Sequence, residues 1–131
     1  MQDKTVTEQP TPQEPSDESV IDRVAASMYK IAADHGFHEG ETIGEVSNER
    51  MAMFMANLHG EVSELWEATR RGKLRDQCDK ACQLSNLEEE LADIVIRAMD
   101  TAHTFGISLG RAIAAKAAYN RSRPYKHGKT C

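Results

Sequence analysis

Four acidic residues stand in two pairs that have the same internal spacing. Glu61 and Glu64 belong to the segment HGEVSELWEATRRGK, and Glu90 and Asp93 belong to LEEELADIVIRAMD. The members of each pair are three residues apart, which makes them neighbours on the surface of a helix. Four converging carboxylates would bind hard divalent cations such as Mg²⁺ and so support phosphoryl chemistry. Each pair could instead be a solvated charged face, and the spacing alone leaves both interpretations open.

Apolar residues at helical spacing predict that these pairs belong to an all-α bundle of four helices. The predicted helices cover residues 19–35, 48–72, 85–106 and 108–123. Ser85 and Glu88 have the spacing of a capping box. Asn48 and Ser108 are candidate N-caps, and Pro124 disfavours helix at the residue before it. No segment alternates convincingly with the period of a strand.

The acids flank the apolar stripes of their helices. The stripe of the second helix is Met51, Met55, Leu58, Val62, Leu65 and Thr69, and that of the third is Leu87, Leu91, Ile94, Val95, Ala98 and Ala102. At about 100° per residue, both acidic pairs lie on the matching side of their stripes. If the stripes pack antiparallel, the four carboxylates converge at one edge of the contact, where they repel one another without a cation. Glu89 lies on the far side of its helix and is predicted to be solvated.

The composition limits the class of protein. The 131 residues, 40% hydrophobic and 28% charged, suit one soluble domain, and the net charge of -5 argues against nucleic acid or acidic membranes as partners. The chain has no apolar run near the roughly 20 residues that span a bilayer and no signal-peptide core. Its three cysteines make no disulfide framework and predict reduced thiols in a cytoplasmic protein. Residues 1–18 hold three of the four prolines and are predicted to be a disordered tail before a helical domain, 19–131.

Several motifs in a fixed order resemble those of the all-α nucleoside triphosphate pyrophosphohydrolases, the MazG-like superfamily. The two acidic pairs are similar to the ExxE…ExxD motif of these enzymes. The segment GFHEG is similar to the glycine-aromatic turn that precedes their second helix, and the C-terminal residues are similar to a K…N..RP..HGK ending. Each motif is weak alone, but together they cover roughly residues 20–129.

The resemblance implies a MazG-like bundle and a concrete reaction. It implies catalytic and metal-binding roles for the paired acids, Glu61, Glu64, Glu90 and Asp93. With Mg²⁺, or Mn²⁺ as a substitute, they would cleave a nucleoside triphosphate between the α and β phosphates, in house-cleaning or nucleotide-pool control. One of these acids, or Glu89, would orient or deprotonate the attacking water. The triphosphate would be held by side chains of the fourth helix and the tail, Lys116, Asn120, Arg123 and Lys129.

The same resemblance implies a homodimer or homotetramer, which also fits the thin core that four short helices provide. Two other classes of protein remain open. A ferritin-like di-metal protein needs Glu-x-x-His pairs, and the chain offers one near match, Asp100-x-x-His103. A non-catalytic nucleotide-binding or adaptor protein of the same fold would bind Mg²⁺ and triphosphate without turnover. Trp66 is predicted to pack in the core or an interface.

Overall fold

The computed structural model describes residues 14–80 and 83–125 and contains four α-helices in that range. The helices are α1 (Asp17–Asp34), α2 (Asn48–Arg70), α3 (Asn86–Thr104) and α4 (Leu109–Ser122). The described loops contain two isolated β-bridges and no strand. The prediction of an all-α bundle of four helices is therefore confirmed. Residues 1–13 of the predicted tail and the candidate ligand Lys129 lie outside the described residues.

A serine side chain begins each of these four helices. The N-caps, each accepting a hydrogen bond from the backbone N–H three residues on, are Ser16, Ser47, Ser85 and Ser108. Glu88 completes the predicted capping box of α3. The cap of α2 is Ser47 and not the predicted Asn48, which is already helical. Gly72 and Gly106 follow α2 and α3 with φ of 67°, a conformation that glycine adopts without strain.

The third helix is the centre of the bundle. α3 packs against α1 and α2 and makes a shorter contact with α4, which lies mainly on α1. Within the described ranges, α2 packs against no helix other than α3. Few apolar residues of the described ranges are buried, and all but one of them are small: Ala25, Phe54, Cys78 and Ala102. One copy of the chain therefore has the thin core that its helix lengths predict.

The first and fourth helices approach each other very closely at Gly110. A Cβ atom added there would lie 2.2 Å from the carbonyl oxygen of Glu18, so only glycine permits this crossing without a shift of the backbone. Asp22 fixes the same crossing, because it accepts hydrogen bonds from Ser108 Oγ at 2.5 Å and from the Gly110 N–H at 2.8 Å. These bonds, that of Ser108 first, lower the pKa of Asp22.

The inward faces of α2 and α3 differ from the predicted apolar stripes. Stripe residues that the structure leaves exposed are Met51, Val62, Thr69, Leu91 and Val95. The buried positions on these helices are largely polar, namely Phe54, Glu61, Glu89, Glu90, Asp100, Ala102 and Thr104. The other stripe residues are half-buried or, for Ala102, buried, so the stripes are covered only in part where α2 and α3 pack together in one chain. Both helices also bury acids outside their stripes, Glu61 on α2 and Glu89 and Glu90 on α3.

The loop between α1 and α2 is held by a buried ionic network. His38 is buried, and its Nδ1 lies 2.6 Å from Glu41 Oε2 while its Nε2 lies 2.8 Å from Asp100 Oδ1 on α3. Arg50 at the start of α2 pairs with Glu41 and donates a hydrogen bond of 2.5 Å to the carbonyl of Phe37. The network therefore fixes the loop backbone on both sides of the Phe37 side chain.

Candidate metal centre

Three of the four paired acids come together between α2 and α3. One carboxylate oxygen from each of Glu61, Glu64 and Glu90 lies within 4.8 Å of the others. Glu61 and Glu90 are 9% and 7% exposed, whereas Glu64 is exposed to solvent. The helix spacing explains this arrangement, because Glu61 and Glu64 are one turn apart on α2 and face the start of α3. The cluster thus has two buried carboxylates and one at its mouth.

The buried carboxylate of Glu90 is incompletely bonded. In the part of the chain that the structure describes, its Oε2 atom is buried and has no hydrogen-bond partner. Burial first, and then the Glu64 carboxylate, raise the pKa of Glu90. Buried polar atoms in folded proteins nearly always have a partner, so an orphaned oxygen requires an explanation. A cation bound between the three carboxylates would supply the missing interaction.

Asp93 lies one turn after Glu90 on α3 but outside the group of three. It shares with Glu61 the wall of an apolar cavity of about 370 Å³, whose other lining residues include Met28, Ile31, Phe37, Ile96 and Arg97. Burial first, and then the Glu61 carboxylate, raise the pKa of Asp93. Asp93 therefore belongs to the same electrostatic environment as the cluster, on the side that faces the apolar cavity.

The other side of the cluster faces a polar cavity of about 410 Å³. Its lining includes Glu64 and Glu90 together with charged and polar residues from the end of α2, the connector and the start of α3, Glu67, Arg71, Lys73, Asp76, Asp79 and Asn86. The paired acids thus form a wall between an apolar and a polar cavity. The arrangement follows from the burial of Glu61 and Glu90 where α2 and α3 pack together.

Two described cationic side chains lie against the acids. Lys80, in the connector between α2 and α3, places Nζ 3.7 Å from Glu64 Oε2 and 3.6 Å from Glu89 Oε1. Arg97 on α3 donates a hydrogen bond of 2.9 Å from Nε to Glu61 Oε1. The pKa of Lys80 is raised, first by Glu89 and further by the paired acids. Sequence reasoning missed both residues, because neither belongs to a local pattern that points to the acids.

Glu89 was predicted to be solvated, and this prediction is wrong. The residue is 7% exposed and faces Lys80. The connector folds back over the start of α3, where the Asn86 N–H donates to the Asp76 carbonyl and the Leu87 N–H donates to the Leu74 carbonyl. This backbone covers the flank of the helix that the apolar pattern assigned to solvent.

The predicted substrate ligands of α4 lie apart from the acids. Lys116 and Asn120 share one face, as predicted, and line a shallow groove with Ala112, Ile113 and Ala117. None of the described acids lines this groove. The Nζ atom of Lys116 and the Cζ atom of Arg123 lie 4.7 Å and 5.9 Å from the centre of the Tyr119 ring. A single chain therefore does not bring these three residues to the candidate metal centre.

Comparison with known proteins does not extend this description. The chain matches no protein-family model, no curated protein and no solved structure. In its described residues, fold and site define it as an all-α protein of four helices with a cluster of three carboxylates between two of them. Across residues 14–80 and 83–125, no helix combines the length and apolar character needed to cross a membrane. The MazG-like assignment stays a prediction from the motifs.

Proposed function

We propose that this chain is a Mg²⁺-dependent nucleoside triphosphate pyrophosphohydrolase, which converts a nucleoside triphosphate to the monophosphate and pyrophosphate. The observation that carries the proposal is the buried Oε2 of Glu90, which no donor among the described residues reaches, inside a group of three carboxylates. Arg97 and Lys80 pair with Glu61 and Glu64, but burial and the neighbouring carboxylates disfavour the charged state of Glu90, so a purely structural helix contact would gain nothing from its carboxylate. The motif resemblance supports the same assignment.

The donor set fits a hard divalent cation. All three donors are carboxylate oxygens, which Mg²⁺ prefers, and one or two of them leave room in its octahedron for water and phosphate oxygens. The bound ion would neutralise phosphate charge and lower the pKa of a coordinated water. Glu61, Glu64 and Glu90 would hold it, while Asp93 would act from the side of the apolar cavity.

The two cavities support cleavage between the α and β phosphates. The apolar cavity, at about 370 Å³, has the size and lining of a site for a nucleobase, with the exposed ring of Phe37 at its wall. The polar cavity offers Arg71 and Lys73 to the terminal phosphates. A nucleotide that lies across the acidic wall would place its α phosphate beside the carboxylates and its leaving pyrophosphate beyond them.

The exposed apolar faces of α2 and α3 support a homo-oligomer. Apolar side chains that one copy leaves exposed on these helices are Met51, Met53, Val62, Trp66, Leu91, Val95 and Ile96. A second copy would bury the same face by two-fold symmetry, because α2 has only α3 as a helix neighbour within the described residues. Within one chain α4 lies apart from the acids. In a homo-oligomer, Lys116 and Asn120 of one copy would instead reach the acidic cluster of the other copy.

We expect the chain to sediment as a dimer or a tetramer, and Val62→Glu to shift it toward the monomer. A carboxylate at this position would be buried against the apolar face of the partner, which costs several kcal/mol. Analytical ultracentrifugation measures the shift, with Ser63→Glu on another face of α2 as the control of equal charge. A monomeric mass for the unaltered chain at working concentration contradicts the homo-oligomer.

The experiment that tests the proposed function measures the products from ribo- and deoxynucleoside triphosphates with Mg²⁺, with Mn²⁺ and with EDTA. We expect pyrophosphate and monophosphate in equal amounts, with either ion and not with EDTA. Orthophosphate and diphosphate would contradict the proposed bond. If Mg²⁺ and triphosphate bind without turnover, the chain is a non-catalytic nucleotide-binding protein and the proposed activity is wrong.

A further inference from the structure

One lysine of the connector reaches the acidic cluster from the solvent side. The Nζ atom of Lys80 lies within 3.7 Å of both Glu64 and Glu89, and its side chain is 59% exposed. Glu89 beneath it is buried. The ammonium group therefore lies at the mouth of the cluster, on the path by which a hydrated cation would enter.

The backbone of the connector holds this lysine near the acids. Cys78 is buried, and its N–H donates to the Leu84 carbonyl at 3.0 Å. The Asn86 N–H donates to the Asp76 carbonyl at 2.9 Å, which ties the connector to the first residue of α3. Lys80 is therefore tethered beside the cluster by its backbone, while its long side chain keeps rotational freedom.

Charge balance gives the lysine a role in the metal-free protein. Three carboxylates lie close together, and Glu89 adds a fourth negative charge beside them. Arg97 pairs with Glu61, and Lys80 is the cation that faces Glu64. An ammonium group at this place and a divalent cation between the same carboxylates would repel each other, since both carry positive charge.

The polar cavity provides the place to which the ammonium group would turn. Asp79, the neighbour of Lys80 in the chain, lines that cavity together with Glu64 and Glu90. Rotation of the flexible lysine side chain toward this cavity would bring a compact positive charge to the phosphates of a nucleotide. Lysine suits such a movement better than arginine, because it binds phosphate as a point charge without a fixed planar geometry.

We infer that Lys80 is a tethered counterion, which partly neutralises the acidic cluster in the metal-free protein, is displaced by the divalent cation and then binds the phosphates of the substrate. The second step rests on the proposed function, whereas the displacement concerns metal binding alone. The two can therefore be tested separately.

The test is a titration of the nucleotide-free protein with Mn²⁺, in which electron paramagnetic resonance measures the free ion. Lys80→Met keeps an unbranched side chain, one heavy atom shorter, and removes its charge. We expect the variant to bind Mn²⁺ with a Kd roughly fivefold lower, which is the size of effect that a partly exposed ion pair allows. Lys80→Arg retains the charge and should keep the Kd of the unaltered protein. Lys30→Met, in an exposed ion pair with Asp34, is the control.

Equal or weaker Mn²⁺ binding by Lys80→Met would overturn the inference and leave the proposed function intact. Absence of Mn²⁺ binding in both the variant and the unaltered protein would overturn both. With a triphosphate substrate, Lys80→Met should raise KM although it binds the metal more tightly. A KM that falls with the metal Kd would overturn the second step, because the lysine would then only compete with the ion.

Discussion

Glu90→Gln is expected to abolish pyrophosphate release and to raise the melting temperature of the metal-free protein at neutral pH. The loss of activity follows from the loss of a metal ligand. A catalytic ion supplies several kcal/mol of transition-state stabilisation, so turnover should fall at least about a hundredfold. The gain in stability has a different cause, namely the burial of a carboxylate whose Oε2 receives no hydrogen bond within residues 14–80 and 83–125.

The sign of the stability effect follows from the pKa of Glu90, which folding raises above its ordinary value of 4.5. Between these two values the folded state binds more protons than the unfolded state. The free energy of unfolding therefore decreases as the pH rises through that window, and the full cost is present above it. Glutamine removes this cost, and its amide group can donate to the neighbouring carboxylates. The stabilisation by Glu90→Gln should be largest at pH 7 and should disappear well below pH 4.5.

Calorimetry in EDTA at pH 7 and at acidic pH, together with the product assay, tests this prediction. Glu64→Gln is the matched variant: it removes the exposed member of the cluster, so it should abolish turnover and leave the melting temperature nearly unchanged. Glu39→Gln, in an exposed loop position, controls for the change of net charge. Full activity of Glu64→Gln would contradict the assignment of Glu64 as a metal ligand. A lower melting temperature of Glu90→Gln at pH 7 would contradict the account of the orphaned oxygen.

Mg²⁺ should stabilise the folded protein, as Glu90→Gln should. A cation between the carboxylates favours their charged state, so its binding should raise the melting temperature at pH 7 and lose this effect in Glu90→Gln. The activity and the metal-dependent stability therefore have to disappear together if the cluster is the metal centre.

The sequence predicts where the helices of this protein begin and end better than it predicts which of their faces is buried. Ser85 with Glu88, and the glycines that end α2 and α3, are local signals that act within a few residues. These features depend on a few neighbouring residues, so capping rules are sufficient to predict them. The convergence of Glu61 and Glu64 with Glu90 needs in addition that α2 pack against α3, which the short connector favours.

The inward face of α3 could not be predicted, because it depends on charged groups that are distant in the sequence. Asp100 is buried because His38, 62 residues away, binds it, and Glu61 is buried beside Arg97, 36 residues away. Lys80 belongs to a connector with no period at all. An apolar stripe predicts which face of a helix is covered. It does not predict the burial of polar residues such as Asp100 and Glu61, which depends on their charged partners.

His38→Ala is expected to cause the largest loss of stability of any single change in the loop between α1 and α2. Both ring nitrogens of His38 lie within hydrogen-bond distance of a carboxylate oxygen, that of Glu41 for Nδ1 and that of Asp100 for Nε2. The ring also stacks on Tyr29, with 4.5 Å between the ring centres. Burial raises the pKa of Glu41, but the hydrogen bonds from His38 and Arg50 outweigh it and lower the pKa overall.

Removal of one partner from a buried ionic network leaves an uncompensated charge, which typically costs about 3–5 kcal/mol. Asp100 would be that charge, because it is buried on α3 and loses its imidazole partner. Urea unfolding followed by circular dichroism measures the loss, with the exposed His59→Ala as the control. A double-mutant cycle with Asp100→Asn should give a total smaller than the sum of the single losses. A loss within the roughly 0.5 kcal/mol of ordinary surface substitutions would contradict the network.

The same variant connects stability to the proposed function. Phe37 precedes His38 and lines the apolar cavity, and its carbonyl accepts a hydrogen bond from Arg50, which pairs with Glu41. Without His38 this part of the loop loses its bond to Asp100, and the Gly44 N–H, which donates to the Thr104 carbonyl, remains as a more distant attachment to α3. The aromatic wall of the cavity is then held less firmly. In the protein that remains folded, KM for a nucleoside triphosphate should rise more than kcat falls, since the carboxylates themselves lie on other elements. An equal fall in kcat with unchanged KM would place the effect of His38 at the acids instead of at the cavity.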